Sequence, residues 1–178
     1  MALSFCRQWS DNSVMLIATR YMTRMAIPGK DEALLARLKV DCWREAYRDI
    51  LPKALLDGLS VPRAHVEWRR SLGEGIAWIA EQSGEAAGFG HMRGDEITML
   101  YVRQHDHGRG VGCELLLHLF DEVSCLGFRH AHLWVLENNY KARAFYARMG
   151  GVAAGRRSVG FLRWPEIREV RYDFRLDD

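Results

Sequence analysis

Residues 96–137 read EITMLYV, then RQHDHGRGVG, then CELLLHLFDEVSCLG, then FRHAHLWVLE. The outer runs are short and rich in β-branched and aromatic residues, as strands are. Between them Val111, Leu115, Leu116, Leu119, Val123 and Leu126 recur on one face of a helix that Gly127 stops. A strand–helix–strand unit of this kind crosses over right-handed, so the strands over 96–102 and 129–136 are predicted to be parallel neighbours. The turn between the first strand and the helix holds Gly108, Gly110 and Gly112 in alternation. Unpaired amides at a helix start, with the dipole behind them, form an anion site, and glycine lets an anion approach the backbone.

Which anion is a question of spacing. A dinucleotide fingerprint needs a third glycine where this chain has Cys113, counting from Gly108, or Leu115, counting from Gly110. A P-loop needs a lysine after the glycines, and none follows. A turn whose glycines serve only helix–sheet packing stays open at this point.

The remaining pattern places this unit in a larger sheet. VMLIATRY (14–21) reads as a strand after a polar, aperiodic extension over 1–13. From Asp31 a helical pattern runs through Leu34, Leu35, Leu38, Val40, Cys42, Trp43 and Tyr47 until Pro52. ALLDGL is a second helical stretch, and Pro62 opens a third with Val66, Trp68 and Leu72 as its inner face, broken at Gly73–Gly75. Residues 76–82, 85–92 and 96–102, separated by Ser83-Gly84 and Arg93-Gly94-Asp95, read as an antiparallel meander. Asn138-Asn139 opens a helix with Ala142, Phe145, Tyr146 and Met149 on one side, stopped at Gly150-Gly151. Strands near 152–160 and 167–175 follow, joined by a loop holding Pro165. One mixed α/β domain over residues 14–178 accounts for this order.

Composition narrows the partners. A net charge of +2 on 178 residues provides no basic stripe for nucleic acid. No apolar run is long enough to span a bilayer. Cys6, Cys42, Cys113 and Cys125 form no CxxC and no zinc spacing with histidine, so no metal is expected, and unpaired cysteines suit a reducing cytoplasm.

LYVRQHDHGRGVGCELL followed by LWVLENNYKARAFYARMG closely resembles the GNAT superfamily of acyl-CoA-dependent N-acetyltransferases. Gly110 and Gly112 match that family's pyrophosphate loop, and Asn139 and Tyr146 match its Asn–Tyr spacing. LARLKVDCWREAYRDILPKALLDGLS is similar to the first helices of one bacterial branch. The resemblance implies a GNAT fold. Its sheet would be mixed and mostly antiparallel, of about six to seven strands with helices on both faces, and a parallel pair would splay apart around the acyl-CoA site. It implies acetyl-CoA as co-substrate, a primary amine of a small molecule or protein as acceptor, direct attack in a ternary complex, and commonly a homodimer. In this reading the segment His107, Gly108, Arg109, Gly110, Val111, Gly112 and Cys113 grips the pyrophosphate. Leu100, Tyr101 and Val102 lend backbone groups to the pantetheine, and Asn139 contacts the cofactor. Tyr146 is the general acid, although spacing alone makes it one more aromatic on an apolar face. Glu96, at the start of its strand, is the expected base, and Trp43 and Tyr47 line an acceptor pocket. Two departures stand out: His107 replaces the family's Arg or Gln, and Gly151 replaces a core aromatic. His107 motivates an alternative, a non-catalytic acyl-CoA sensor; a transferase of larger acyl groups is a third reading.

Overall fold

The structure is a computed structural model and describes residues 21–159, 164 and 166–176. Of the strand expected over 14–21, residues 14–20 lie outside the described residues, and Tyr21 immediately precedes the first described strand. Strands β1 (Met22–Met25), β2 (Ile76–Gln82), β3 (Glu85–Arg93), β4 (Glu96–Val102), β5 (His130–Leu136), β6 (Val152–Ser158) and β7 (Arg168–Arg175) form one sheet in the order β1-β2-β3-β4-β5-β7-β6. Every neighbouring pair is antiparallel except β4 and β5, which are parallel as the crossover rule requires. The helices are α1 (Glu32–Ala46), α2 (Lys53–Asp57), α3 (Val61–Glu74), α4 (Val111–Cys125) and α5 (Tyr140–Arg148).

Strand alternation sends side chains to two cores, one on each face of the sheet. On one face Ala77 and Ile79 of β2 and Phe89 of β3 pack with Leu35, Leu38 and Val40 of α1 and Trp68 of α3. On the other, Leu116, Leu119 and Val123 of α4 meet Ala131, Leu133 and Val135 of β5 and Val170, Tyr172 and Phe174 of β7. Leu115, Leu116, Leu119 and Val123 are fully buried, each contributing about 1.5–3 kcal/mol by removal from water. Leu126, expected on the same face, ends the helix as its C-cap and is exposed.

Four local readings change. The inner stripe of α3 is Ala64, Trp68 and Leu72, four residues apart, while Val66 lies half a turn away and is 65% exposed. That helix also runs through Gly73 to Glu74 and ends only at Gly75. The cysteines are not all unpaired: Cys42 and Cys125 are free thiols, but Cys113 is disulfide-bonded. Nor does Gly151 leave a hole where an aromatic is missing. A Cβ there would lie 2.7 Å from the Phe174 ring and 2.9 Å from the Tyr146 carbonyl, so β7 supplies the aromatic from across the core.

The α1/α3 layer packs over β2 to β4, while β6 at the far edge is exposed along its whole length. On the α1 side Leu136 of β5 packs with Tyr47, Leu51 and Leu56, so the helical layer reaches the end of β5 but leaves β6 exposed.

Candidate functional site

The site begins with a fault in the sheet. β3 pairs His91 with Met99 and then Met92 with Ile97, which leaves Thr98 as one extra residue in β4. A bulge bends its strand and ends pairing locally. On the other edge of β4, pairing with β5 consists of Glu96 with His132 and Ile97 with Leu133, and stops there. The bulge and the end of the parallel ladder coincide, so the two strands splay from Thr98 onward. His91 braces the bulge: its Nδ1 lies 2.6 Å from Thr98 Oγ1 and its Nε2 lies 3.1 Å from the Ser71 carbonyl. Burial lowers the His91 pKa, keeping the ring neutral for these contacts.

Beyond the splayed end of β4 stands the glycine loop. Gly108 and Gly110 have φ of +75° and +87°, conformations that L side chains rarely adopt. Gly110 caps α4 without a side-chain bond, so the amides of Val111, Gly112 and Cys113 face outward. Asp106 holds the loop in place. It is 2% exposed, accepts from Tyr21 Oη at 2.9 Å and Arg103 Nε at 3.3 Å, and lies 2.9 Å from His105 Nε2. Arg109 donates to Tyr21 Oη at 3.4 Å. The sequence reading passed over Asp106, because a carboxylate inside an anion-binding loop looks like a solvated residue; its flanking Arg103, His105 and Arg109 were the available signal. His107 turns back toward the strand, its Nε2–H donating to the Val102 carbonyl at 2.9 Å. Loop and strand are thus tied at the point where they meet.

Asn139 is the N-cap of α5, its Oδ1 accepting from Ala142 N at 3.1 Å, which leaves its amide donors available. Tyr146 is buried in the core on the α4/α5 face. Tyr47 and Tyr101 lie toward the α1 face, their hydroxyls 3.0 Å apart. Burial raises all three phenols: Tyr47 is pushed up to about 12, and Tyr101 and Tyr146 stand well above the usual range.

On the α1 face a cleft of about 390 Å³ opens into that gap. Its walls are Trp43 and Tyr47 of α1, Thr98, Met99 and Tyr101 of β4, and Trp134 and Leu136 of β5, with Glu74 and Glu169 among its polar groups. Trp43 and Tyr47 meet edge to face at 5.2 Å, and Tyr47 and Tyr101 at 6.2 Å. Trp43 and Tyr47 thus both line the cleft. Tyr146 and Glu96 are not in its lining. Tyr146 lies across the gap, and Glu96 stands at the paired end of β4 on the face it shares with Thr98. Among the described residues, no helix is long and apolar enough to cross a membrane.

The splayed parallel pair thus has the glycine loop on one side of its gap and the aromatic cleft on the other. The family model of the acetyltransferase (GNAT) family matches residues 35–151. The chain belongs to that family and is by class an acyltransferase. It is 33% identical over 128 residues to a probable N-acetyltransferase of Mycobacterium tuberculosis, covering 64% of this chain and 70% of that one. Its fold superposes on a GCN5-related N-acetyltransferase of Rhodopseudomonas palustris with a TM-score of 0.75 at 24% identity, over 89% of this chain and 97% of that one. It also matches an N-acetyltransferase of Thermoplasma acidophilum solved with coenzyme A, with a TM-score of 0.69 at 14% identity over 86% and 99% of the two chains.

Proposed function

We propose that the protein transfers the acetyl group of acetyl-CoA to a primary amine by direct attack in a ternary complex. The observation that carries this reading is the coincidence of three features: the Thr98 bulge, the end of β4–β5 pairing at Ile97, and the opening of both the glycine loop and the aromatic cleft onto the resulting gap. The residues present fit the cofactor. Positive-φ glycines with open space around them and uncapped α4 amides suit a pyrophosphate. The β5-facing backbone of residues 99–102, without a strand partner, suits the pantetheine amides in the manner of an added strand. His107 holds the Val102 carbonyl and so fixes the strand end against which the pantetheine lies.

Bound acetyl-CoA supplies the activated acyl group. The acceptor nitrogen bonds to the thioester carbonyl carbon, the C–S bond breaks, and the products are an amide and a thiol. A free β4 N–H at the gap stabilises the oxyanion. Tyr146 donates to the departing sulfur. Its raised pKa keeps the phenol protonated at any working pH, and also makes it a hydrogen-bond donor first and a full acid only as charge builds on sulfur. Glu96, on the Thr98 face of β4, takes the ammonium proton through water. Trp43 and Tyr47 shape the acceptor cleft.

Calorimetry with acetyl-CoA and thiol release over a panel of primary amines test the reading. Binding with turnover on at least one amine is expected; binding without turnover would place the chain among acyl-CoA sensors, and no binding refutes the assignment. Tyr146→Phe is expected to lower kcat about 10²-fold with acetyl-CoA affinity retained. An undiminished rate removes tyrosine from the chemistry.

A further inference from the structure

The β5–β7 wall of the cleft carries Trp134 and Glu169, and both already hold a cation. The Arg157 guanidinium carbon lies 4.0 Å from the centre of the Trp134 ring, and Arg157 Nε donates to Glu169 Oε2 at 2.8 Å. An aromatic face and a carboxylate converging on one positive group make a cation subsite. The occupant comes from outside the cleft. Arg157 projects from β6, the exposed edge strand, and is paired across the ladder with Glu169. Its side chain keeps 48% of its exposure while that of Glu169 keeps 17%. The carboxylate thus belongs to the cleft and the arginine to its rim. A half-exposed ion pair contributes little net free energy, so another cation displaces this arginine at a cost of only about a few-fold in affinity.

The other charges nearby do not claim Glu169. Arg156 pairs with Glu137, and Arg171, next but one to Glu169 along β7, pairs with Asp173. At the far end of the cleft Glu74 is held by Arg70 and Arg93, and Lys39 by Glu67. With Arg157 swung away, Glu169 is, among the described residues, the lining carboxylate left without an ion pair.

We infer that the acceptor is a small amine carrying a second positive charge, which seats on Trp134 and Glu169 by displacing Arg157. Its reacting amine then faces the gap between β4 and β5, a detail that rests on the proposed acetyl transfer; the seating of the cation does not. A cleft of about 390 Å³ is at the small end of ligand sites and suits a short diamine.

The test is binding of 1,4-diaminobutane and n-butylamine, matched in length, to the full chain in the presence of coenzyme A, measured by calorimetry. The diamine is expected to bind at least about tenfold more tightly, the contribution of one partly desolvated cation contact. Arg157→Gln should tighten the diamine by about fivefold, because the competing ion pair is gone, and Glu169→Gln should shrink the diamine-to-monoamine ratio toward one. Thermal unfolding and coenzyme A affinity serve as controls for folding. An unchanged or weakened diamine affinity in Arg157→Gln, or an unchanged ratio in Glu169→Gln, overturns the inference. A lysine-containing tetrapeptide binding more tightly than the diamine overturns the small-molecule assignment. Loss of turnover on every amine with the diamine preference intact would refute acetyl transfer and leave the cation subsite standing.

Discussion

Gly112 separates a ligand-binding role for the glycine loop from a packing one. It lies in the first turn of α4 with ordinary helical φ, so the backbone makes no demand for glycine there. Packing makes none either: a Cβ at 112 would find its nearest neighbours, in Phe145 and Val102, at 3.6 Å, ordinary contact distance. Replacing a helical glycine by alanine where nothing clashes stabilises a protein by about 0.4–1 kcal/mol, mainly through the unfolded chain. For a chain of this size that raises the midpoint of thermal unfolding by about 1–4 °C. The same methyl projects between α4, α5 and the end of β4, beside the amides proposed to hold the pyrophosphate. Displacing one charge-assisted hydrogen bond costs about 1.5–3 kcal/mol, or about tenfold or more in affinity. Gly112→Ala is therefore expected to be a more stable protein that binds acetyl-CoA less well, read by thermal unfolding without ligand and calorimetry with it. Gly110→Ala, forced to φ +87°, should instead lose about 1–2 kcal/mol of stability. A stabilised Gly112→Ala that binds acetyl-CoA normally would return the loop to a packing device, and a destabilised one would mean the space beside Phe145 is not as open as drawn.

Three further perturbations follow from the geometry. Asp106→Ala strips the buried acceptor from Tyr21, Arg103 and His105; it should cost about 3 kcal/mol in denaturant unfolding and weaken acetyl-CoA as the loop loosens. Gly151→Ala forces a methyl against the Phe174 ring and the Tyr146 carbonyl; about 1–3 kcal/mol of overpacking is expected, read as a lower unfolding midpoint. His91 has a folded pKa below its ordinary 6.5. The unfolded chain therefore takes up the proton first, so its contribution to stability is full above 6.5 and is lost as pH falls toward the folded value. Thermal midpoints from pH 7.5 to 5 should fall less steeply in His91→Gln than in the wild type, and parallel slopes would refute the buried-neutral assignment.

The elements were legible because their patterns are local. The meander over 76–102, the α4 stripe and the Asn139 cap each follow from neighbours a few residues apart, and the helix–strand periodicities reproduce them within a residue or two. Errors arose where two faces compete. Val66 is as apolar as a core residue, but the stripe of α3 is decided by Ala64, whose small side chain gives little signal. Gly151 looked like a missing aromatic because Phe174, which occupies that space, lies on another strand. The residues around Gly110 were legible as a glycine turn opening a helix, whereas Asp106 was not, since its value depends on Tyr21, which is 85 positions away.

The least legible residue is Thr98, and the site depends on it. In EITMLYV it is one β-branched residue among strand formers, with nothing to mark an insertion. Its bulge is fixed by contacts from elsewhere: His91 on β3 and, through His91, the Ser71 carbonyl at the end of α3. That brace sets where β4 leaves β5, and therefore which side chains of β4 and β5 wall the cleft and which backbone groups remain unpaired. Were Thr98 held in regular register instead of bulged, alternation would continue unbroken from Ile97, and Met99 and Tyr101 would turn to the α4 face while Leu100 turned toward α1. The aromatic wall shared by Tyr101 and Tyr47 would then be lost, and the ladder to β5 would have no reason to stop at Ile97. The gap between β4 and β5 is thus a property of tertiary contacts acting on an ordinary strand sequence.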